Sequence, residues 1–243
     1  MMRPMTLGEI AAAVGCTDSY FLDNNAKITS ISTDSRPQPE DGDRESCLFV
    51  ALRGEVFDGH AYVGAALRNK AQYALVDKKG AEEYCKELPA QQLIVCEDTE
   101  QGFLDLAGAY RDRYHFRMVG VTGSVGKTTT KEMIAQVLSA QFETLKTQGN
   151  FNNRVGLPKT LLELDETVQA AVIEMGMNHF GEISDLTRRA KPDAAVITNI
   201  GVAHIEYLGS REGILKAKME ITEGMTPGSP LILNGEKYRT QWG

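Results

Sequence analysis

The stretch RMVGVTGSVGKTTTKEMIAQVLS, Arg117 to Ser139, decides how this chain folds. With Phe116 ahead of it, its first part (FRMVGVTG) is an apolar run and reads as a β-strand. Its last part reads as an amphipathic helix with Met133, Ile134, Val137 and Leu138 as the expected buried stripe. Between them Gly123 and Gly126 flank a tight turn, and Lys127 and Thr128 stand where the helix begins. A helix start leaves backbone N–H groups unpaired, and its dipole favours an anion. Lys127 can reach terminal phosphates and the Thr128 hydroxyl can bind Mg²⁺. The common phosphate-loop pattern, GxxxxGK(S/T), would place its first glycine at position 121, where this chain has Val121. The other reading is a glycine turn with a solvated lysine. The agreement of strand, glycines, Gly-Lys-Thr and helix weighs against it.

The pattern continues outward from that loop. QAAVIEMG and DAAVITNIG read as strands, and GEISDLTRRA and SREGILKAKMEITEGM as helices. Runs such as AAVI are apolar at successive positions, as in strands covered on both faces. Strand and helix alternate as in a parallel, doubly wound sheet, so the expected class is α/β. Ahead of this region, KITSIS, CLFVAL, YALVD and QLIVCED read as strands and TLGEIAAAVG and HAYVGAALRNKA as helices. Thr99 caps a further helix whose Phe103, Ala107, Tyr110 and Tyr114 share one face. A small N-terminal α/β domain over 1–98 and a second domain over 99–243 follow as the expected organisation.

Composition sets the outer limits. The 243 residues suffice for one large domain or two modest ones. Apolar residues make up 42% and charged residues 24%, an ordinary soluble balance. The net charge of −7 argues against a general nucleic-acid binder, so a phosphate ligand needs local donors. Cys16, Cys47, Cys85 and Cys96 form no CxxC pair, which favours a reduced, cytoplasmic setting. Glu9 interrupts the apolar N-terminal run, so it makes a poor signal peptide, and no stretch approaches a membrane span. The sequence does not set the oligomeric state; a monomer is the simpler expectation.

In an open parallel sheet, ligands gather at the carboxyl ends of the strands. Glu174 ends the apolar strand AAVIE and suits a metal contact there, or turns to solvent as a strand end. His204 follows the strand AAVITNIG and is either a ligand or a structural histidine. Lys218 lies in the apolar stripe of Ile214, Leu215, Met219 and Ile221, whereas Lys216 points away. Such a lysine must be neutralised or paired, or its stem packs while its tip snorkels to water. A depressed pKa would make its amine nucleophilic. TQGNFNNRVGLPKTLLEL gathers Asn150, Asn152 and Asn153, whose amides can serve a polar substrate or simply a turn before a helix near Pro158. STDSRPQPEDGD and RGEVFDGHAY read as loops.

Together these segments resemble the Mur ligase family. The family's short loop, TGxxGK(S/T), matches TGSVGKTTTKE from Thr122 to Glu132 and accounts for Val121. GNFNNRVGLPKTLL, VIEMGMNHFGEI, ITNIGVAHIEYLGS and KAKMEI look like the branch that joins D-alanyl-D-alanine to UDP-MurNAc-tripeptide. EMGMNHFGEI is the most discriminating of them. ISTDSR, LFVALRGEVFDGHAYV and ALVD resemble the domain that holds the UDP-sugar end of that substrate. Nearly the whole chain is covered.

The resemblance implies an ATP-dependent amide ligase of peptidoglycan synthesis that works through an acyl phosphate. It implies that Gly123, Ser124, Val125, Gly126, Lys127, Thr128 and Thr129 hold the ATP phosphates. Thr128, Glu174, His204 and Lys218, the last as a carbamate formed with CO₂, would hold two Mg²⁺ ions. Lys127, Glu174, His204 and Lys218 would form the catalytic group. Asn150, Asn152 and Asn153 would place the peptide, and Thr33, Asp34, Ser35 and Arg36 the UDP end. Two departures stand out: extra residues in DGDRESCLFVAL, and a chain that stops before the family's later adenine-binding segment and dipeptide-binding domain. The expectation is therefore a front portion, inactive alone as a ligase. A fragment that only binds nucleotide or UDP-sugar peptide is the alternative. A folylpolyglutamate synthase-like ligase is disfavoured by EMGMNHFGEI.

Overall fold

A computed structural model describes residues 2–16, 23–37, 46–54, 56–201 and 205–235. The chain forms two compact units, Met1–Leu106 and Ala107–Gly243. Their division falls inside a long helix instead of before it.

In the first unit, strand β1 (Met5–Thr6) leads into helix α1 (Leu7–Ala13). Thr6 closes a capping box with Glu9: the Thr6 hydroxyl accepts from the Glu9 amide, and the Glu9 carboxylate accepts from the Thr6 amide. KITSIS divides into two strands, β2 (Lys27–Ile28) and β3 (Ser30–Ser32), which belong to different sheets. β2 pairs antiparallel with β1. The break falls at Thr29, whose amide and hydroxyl both turn to Ser46, at 2.8 and 2.7 Å. Strand β4 (Cys47–Val50), helix α2 (Val63–Asn69), strand β5 (Tyr73–Asp77), helix α3 (Lys78–Tyr84) and strand β6 (Leu93–Cys96) complete the unit, and helix α4 (Thr99–Arg111) follows. The sheet order is β3-β4-β5-β6, all parallel. Every residue of β4 is buried, as an inner strand covered on both faces requires. α3 carries no apolar stripe; its start is set by Asp77, whose carboxylate accepts the Gly80 amide.

The polar loop RGEVFDGHAY turns out to be built around a buried histidine. His60 is 1% exposed. Its Nε2 accepts the Asp77 amide at 3.1 Å, which leaves the ring hydrogen on Nδ1 for Asp58 at 2.6 Å. Arg53 bridges the carboxylates of Asp58 and Asp77. Burial raises both carboxyls, but the His60 amide and ring outweigh it at Asp58, and the Arg53 guanidinium and the Gly80 amide outweigh it at Asp77, so both lie below the usual range.

The second unit alternates as its sequence predicts. Strand β7 (Arg117–Thr122), helix α5 (Lys127–Leu138), strand β8 (Thr144–Lys146), helix α6 (Gly156–Leu161) and strand β9 (Ala170–Glu174) come first. Helix α7 (Glu182–Ala190), strand β10 (Ala194–Ile197), helices α8 (Ile205–Leu208) and α9 (Arg211–Met219) and strand β11 (Leu231–Leu233) follow. The sheet order is β11-β10-β7-β9-β8, all parallel. This is the expected α/β class.

Two details differ from the sequence reading. On α5 the apolar stripe is rotated: Met133 and Val137 are 66% and 73% exposed, while Lys131 and Ala135 are buried and Ile134 and Leu138 pack beside them. Positions 131, 134, 135 and 138 lie on one face at a period of 3.6, and 133 and 137 lie behind it. The helix read through Met225 ends as α at Met219 and tightens to a 3₁₀ turn over Glu220–Gly224. There the Thr187 hydroxyl donates to the Ile221 carbonyl at 2.7 Å, and a side chain at Gly224 would overlap the Thr187 backbone.

Gly80 lies flat against the His60 ring, and a Cβ there would overlap it. Gly80→Ala therefore forces the buried histidine off both of its hydrogen bonds. It is expected to destabilise the first unit by about 2–4 kcal/mol. Denaturant unfolding with segment-resolved hydrogen exchange reads this out; an unchanged midpoint would contradict the packing described.

Candidate functional site

The register of the second sheet fixes the site. Val121 of β7 stands beside Glu174 of β9, and Thr122 beside Ile197 of β10. The three strands therefore end level, and the turns beyond them share one edge. The loop after β7 enters with Gly123 at φ 150° and turns into α5 at Gly126, φ 80°. Gly123 is pressed so close to Thr198 that a Cβ would overlap its hydroxyl. Both positions need glycine, one for backbone conformation and closeness together, the other for its left-handed φ.

Asn199 sets the loop's shape. Its Oδ1 accepts the Ser124 amide at 3.1 Å and the Val125 amide at 3.0 Å. The Thr198 hydroxyl donates to the Val125 carbonyl at 2.6 Å, and the Gly201 amide donates to Ser124 Oγ at 2.9 Å. Ser124 and Val125, expected to offer their amides to phosphate, thus spend them on Asn199. The amides of Lys127, Thr128 and Thr129 lie in the first turn of α5, where no side chain caps the helix. Lys127 folds back, with Nζ donating to the Gly123 carbonyl at 3.1 Å. At the foot of the loop Thr122 Oγ1 is buried without a hydrogen-bond partner among the described residues.

Glu174 is 2% exposed at the end of its strand, so it does not turn to solvent. Its Oε2 accepts from the Thr128 hydroxyl at 2.9 Å and its Oε1 from Asn152 Nδ2 at 2.8 Å. A hydroxyl and a carboxylate oxygen side by side are hard donors that suit Mg²⁺, which keeps most of its ligands as water or phosphate. Among the described residues no group of three or more His, Cys, Asp or Glu is arranged to hold a metal ion, so a cage-like site for a softer metal is not present there. Uncapped amides, Lys127 and this oxygen pair fit a magnesium-bound polyphosphate.

Lys127, Asn152, Asn153, Glu182 and Lys218 line one cleft of about 210 Å³. Asn153 also caps α6, its Oδ1 accepting the Gly156 amide at 2.8 Å. Asn150 is exposed and is not part of that lining. Lys218 is 2% exposed, and its Nζ has no hydrogen-bond or ion-pair partner among the described residues. Burial first, and the nearby Lys127 charge second, bring its pKa down from 10.5 to about 8. His204 lies outside the described residues, as do 41–45 of the expected insertion.

Thr33, Asp34, Ser35 and Arg36 lie in the first unit, in the loop after β3. Arg36 grips Asp34 through Nε at 3.0 Å and Nη2 at 2.7 Å, and this bond holds the carboxyl far below its usual range. Lys70 Nζ donates to the Arg36 carbonyl at 3.1 Å.

Sequence reasoning passed over Thr198, Asn199, Thr147, Lys131 and Glu182. The signal for Thr198 and Asn199 was there, since they follow β10 at the carboxyl edge. Nothing local marked Lys131 or Thr147, whose partners lie far along the chain.

Known proteins resemble this chain in sequence and in fold. Residues 121–242 match the model of the Mur ligase middle domain. The chain is 44% identical over 238 residues to the UDP-N-acetylmuramoyl-tripeptide–D-alanyl-D-alanine ligase of Bacillus subtilis, covering 97% of this chain and 50% of that protein. It is 40% identical to the Escherichia coli enzyme of the same name over 86% of this chain and 44% of that protein. Among solved structures it resembles MurF from Acinetobacter baumannii, with a TM-score of 0.81, 36% identity, and coverage of 96% of this chain and 49% of that one. It also resembles the MurF ligase of Thermotoga maritima solved in complex with ADP, with a TM-score of 0.76, 31% identity, and coverage of 87% and 47%. The chain spans about half the length of the curated relatives it matches. Among the described residues no helix is long and apolar enough to cross a membrane.

The buried Lys218 predicts a specific pH dependence. Below about pH 8 the folded and unfolded chains both hold its proton, and the fold bears the full penalty. Between about 8 and 10.5 the folded chain releases the proton first, so stability rises with pH. Lys218→Met removes that penalty and is expected to stabilise the chain by about 1–3 kcal/mol near neutral pH, with the gain shrinking above pH 8. Urea unfolding across pH 6.5 to 10 in carbonate-free buffer measures it; a difference that stays constant with pH would count against the assignment.

Proposed function

The chain belongs to the Mur ligase family, and from that premise we propose that it serves an ATP-dependent amide ligation, the joining of D-alanyl-D-alanine to UDP-MurNAc-tripeptide. The observation that carries this reading is the Thr128–Glu174–Asn152 contact at the mouth of the phosphate loop. It supplies hard oxygens on the side of the loop that faces a cleft containing two lysines.

In the proposed reaction a substrate carboxylate attacks the γ-phosphorus of ATP, and the bond to ADP breaks. The amine of the dipeptide then attacks the acyl phosphate, its proton is lost and phosphate leaves. The protein's share is positioning and charge neutralisation. The first-turn amides of α5 and Lys127 hold the phosphates. Thr128 and Glu174 would hold Mg²⁺, with His204 and Lys218 as the further ligands that the family resemblance implies. Bound Mg²⁺ offsets the repulsion between carboxylate and polyphosphate.

Lys218 suits carbamate formation. At a pKa of about 8 a fraction of its amine is neutral near physiological pH. Addition of CO₂ to Nζ forms an N–C bond and releases a proton, converting a costly buried cation into an anion. Asn152 and Asn153 line the cleft and place the peptide end of the substrate. In the first unit, Thr33, Asp34, Ser35 and the exposed Arg36 meet the UDP end; Arg36 suits a diphosphate as a planar donor.

Nucleotide binding tests the reading. ATP is expected to bind with Mg²⁺ and more weakly with chelator. Lys127→Ala should weaken binding by about tenfold or more in both conditions, a charge-assisted contact being worth that much. Glu174→Gln should remove the Mg²⁺-dependent gain alone. UDP-MurNAc-tripeptide should bind and should weaken on Arg36→Ala. ATP affinity indifferent to Lys127 and to Mg²⁺ would overturn the proposal.

A further inference from the structure

Lys131 is the charged residue that the proposed chemistry leaves unused. It lies one turn beyond Lys127 on the sheet-facing side of α5 and is 1% exposed. A buried ammonium is costly unless its hydrogens are taken up. Its Nζ donates to the Thr147 carbonyl at 2.6 Å and pairs with Glu132 Oε1 at 3.1 Å.

Thr147 is the first residue past β8 and is fully buried. Its amide continues the ladder by one bond, to the Val172 carbonyl at 3.1 Å. Its hydroxyl accepts the backbone amide of Glu174 at 2.9 Å. Its carbonyl faces Lys131 at the sheet's β8 edge, and a buried carbonyl needs a donor. The loop that starts at Thr147 carries Asn152, whose side chain holds Glu174 Oε1 and whose carbonyl accepts the Gly176 amide at 2.8 Å. Lys131 therefore reaches Glu174 by two routes, through the Thr147 hydroxyl to its backbone and through the loop to its carboxylate.

We infer that Lys131 is a positioning residue for the Glu174 carboxylate: by pinning Thr147 it fixes the place of Glu174 against Thr128. Ion pairing with Glu132 does not explain its burial. Glu132 is half-exposed and is shared with Lys146, a surface arrangement worth little. The inference rests on Glu174 being the metal-side carboxylate, but its structural half can be tested without any ligand.

The test uses the full chain, ¹⁵N-labelled, as wild type, Lys131→Met, Thr147→Val, Thr147→Ser and the Lys131→Met/Thr147→Val double variant. Amide exchange at Glu174 is read by NMR, with Ala171 and Val121 as controls in the same sheet. Lys131→Met and Thr147→Val should each speed exchange at Glu174 by about tenfold, as loss of one buried hydrogen bond predicts, while the controls hold. Thr147→Ser keeps the hydroxyl and should retain wild-type exchange. The double variant should exceed Thr147→Val by less than the two single effects combined. In parallel, the Mg²⁺ concentration needed for ATP binding should rise about tenfold in Lys131→Met, with metal-free ATP affinity unchanged. Unchanged exchange at Glu174, or an equal rise at Glu174 and the controls, would overturn the inference. If Lys131→Met does not fold, the Thr147→Val and Thr147→Ser pair decides whether the hydroxyl holds Glu174, and equal exchange in those two overturns it. Wild-type ATP binding that ignores Mg²⁺ would sink the metal reading instead, leaving the exchange result to stand by itself.

Discussion

The site depends on the parallel register of β7 between β9 and β10. That register sets Val121 beside Glu174 and Thr122 beside Ile197. Because the strands end level, a carboxylate from one strand end, an amide side chain from a turn and the phosphate loop itself arrive at a single edge. A shift by one residue would turn Glu174 to the other face of the sheet. The oxygens of Glu174 and Thr128 would then no longer meet, and the Asn199 bonds that shape the loop would be lost with them. Side-chain chemistry at this edge is thus a consequence of backbone pairing deep in the sheet.

The two buried lysines of the second unit show how one residue type takes opposite roles by surroundings. Lys131 gives its hydrogens to Thr147 and Glu132, so its charge is accommodated and it acts as a strut. Lys218 has no such partner among the described residues and faces Lys127 across the same cleft. Its charge is costly in that place, which favours whatever neutralises it: loss of the proton, reaction at the amine, or an anion between the two lysines. An unsatisfied buried cation at a ligand-facing edge is poor for stability and useful for chemistry.

The sequence carried the fold where local signals and tertiary structure agree. The β7 strand, the two loop glycines and the start of α5 were all legible, because strand periodicity, turn chemistry and helix initiation act within a few residues. Lys218 was legible as a lysine inside an apolar stripe, and the structure buries it. The α5 stripe was misjudged because hydrophobicity argued for Met133 and Val137, whereas a lysine took the inner face. What admits Lys131 there is the Thr147 carbonyl, brought up by β8 from beyond the end of the helix. KITSIS looked like one strand because alternation is blind to a change of sheet partner at Thr29. Likewise, Asn199 was readable as a strand-end residue but not as the acceptor that occupies two loop amides. In each case the missing information was which distant group supplies a hydrogen bond.

In the proposed function Thr128 and Glu174 together hold the metal of a phosphate bound at the start of α5. A crystal structure of this chain with Mg²⁺ and a non-hydrolysable ATP analogue tests it most directly. The polyphosphate is expected on the amides of Lys127, Thr128 and Thr129, with Mg²⁺ contacting Thr128 Oγ1 and Glu174 either directly or through one water. A metal elsewhere, with the Thr128–Glu174 hydrogen bond intact beneath bound nucleotide, would contradict it.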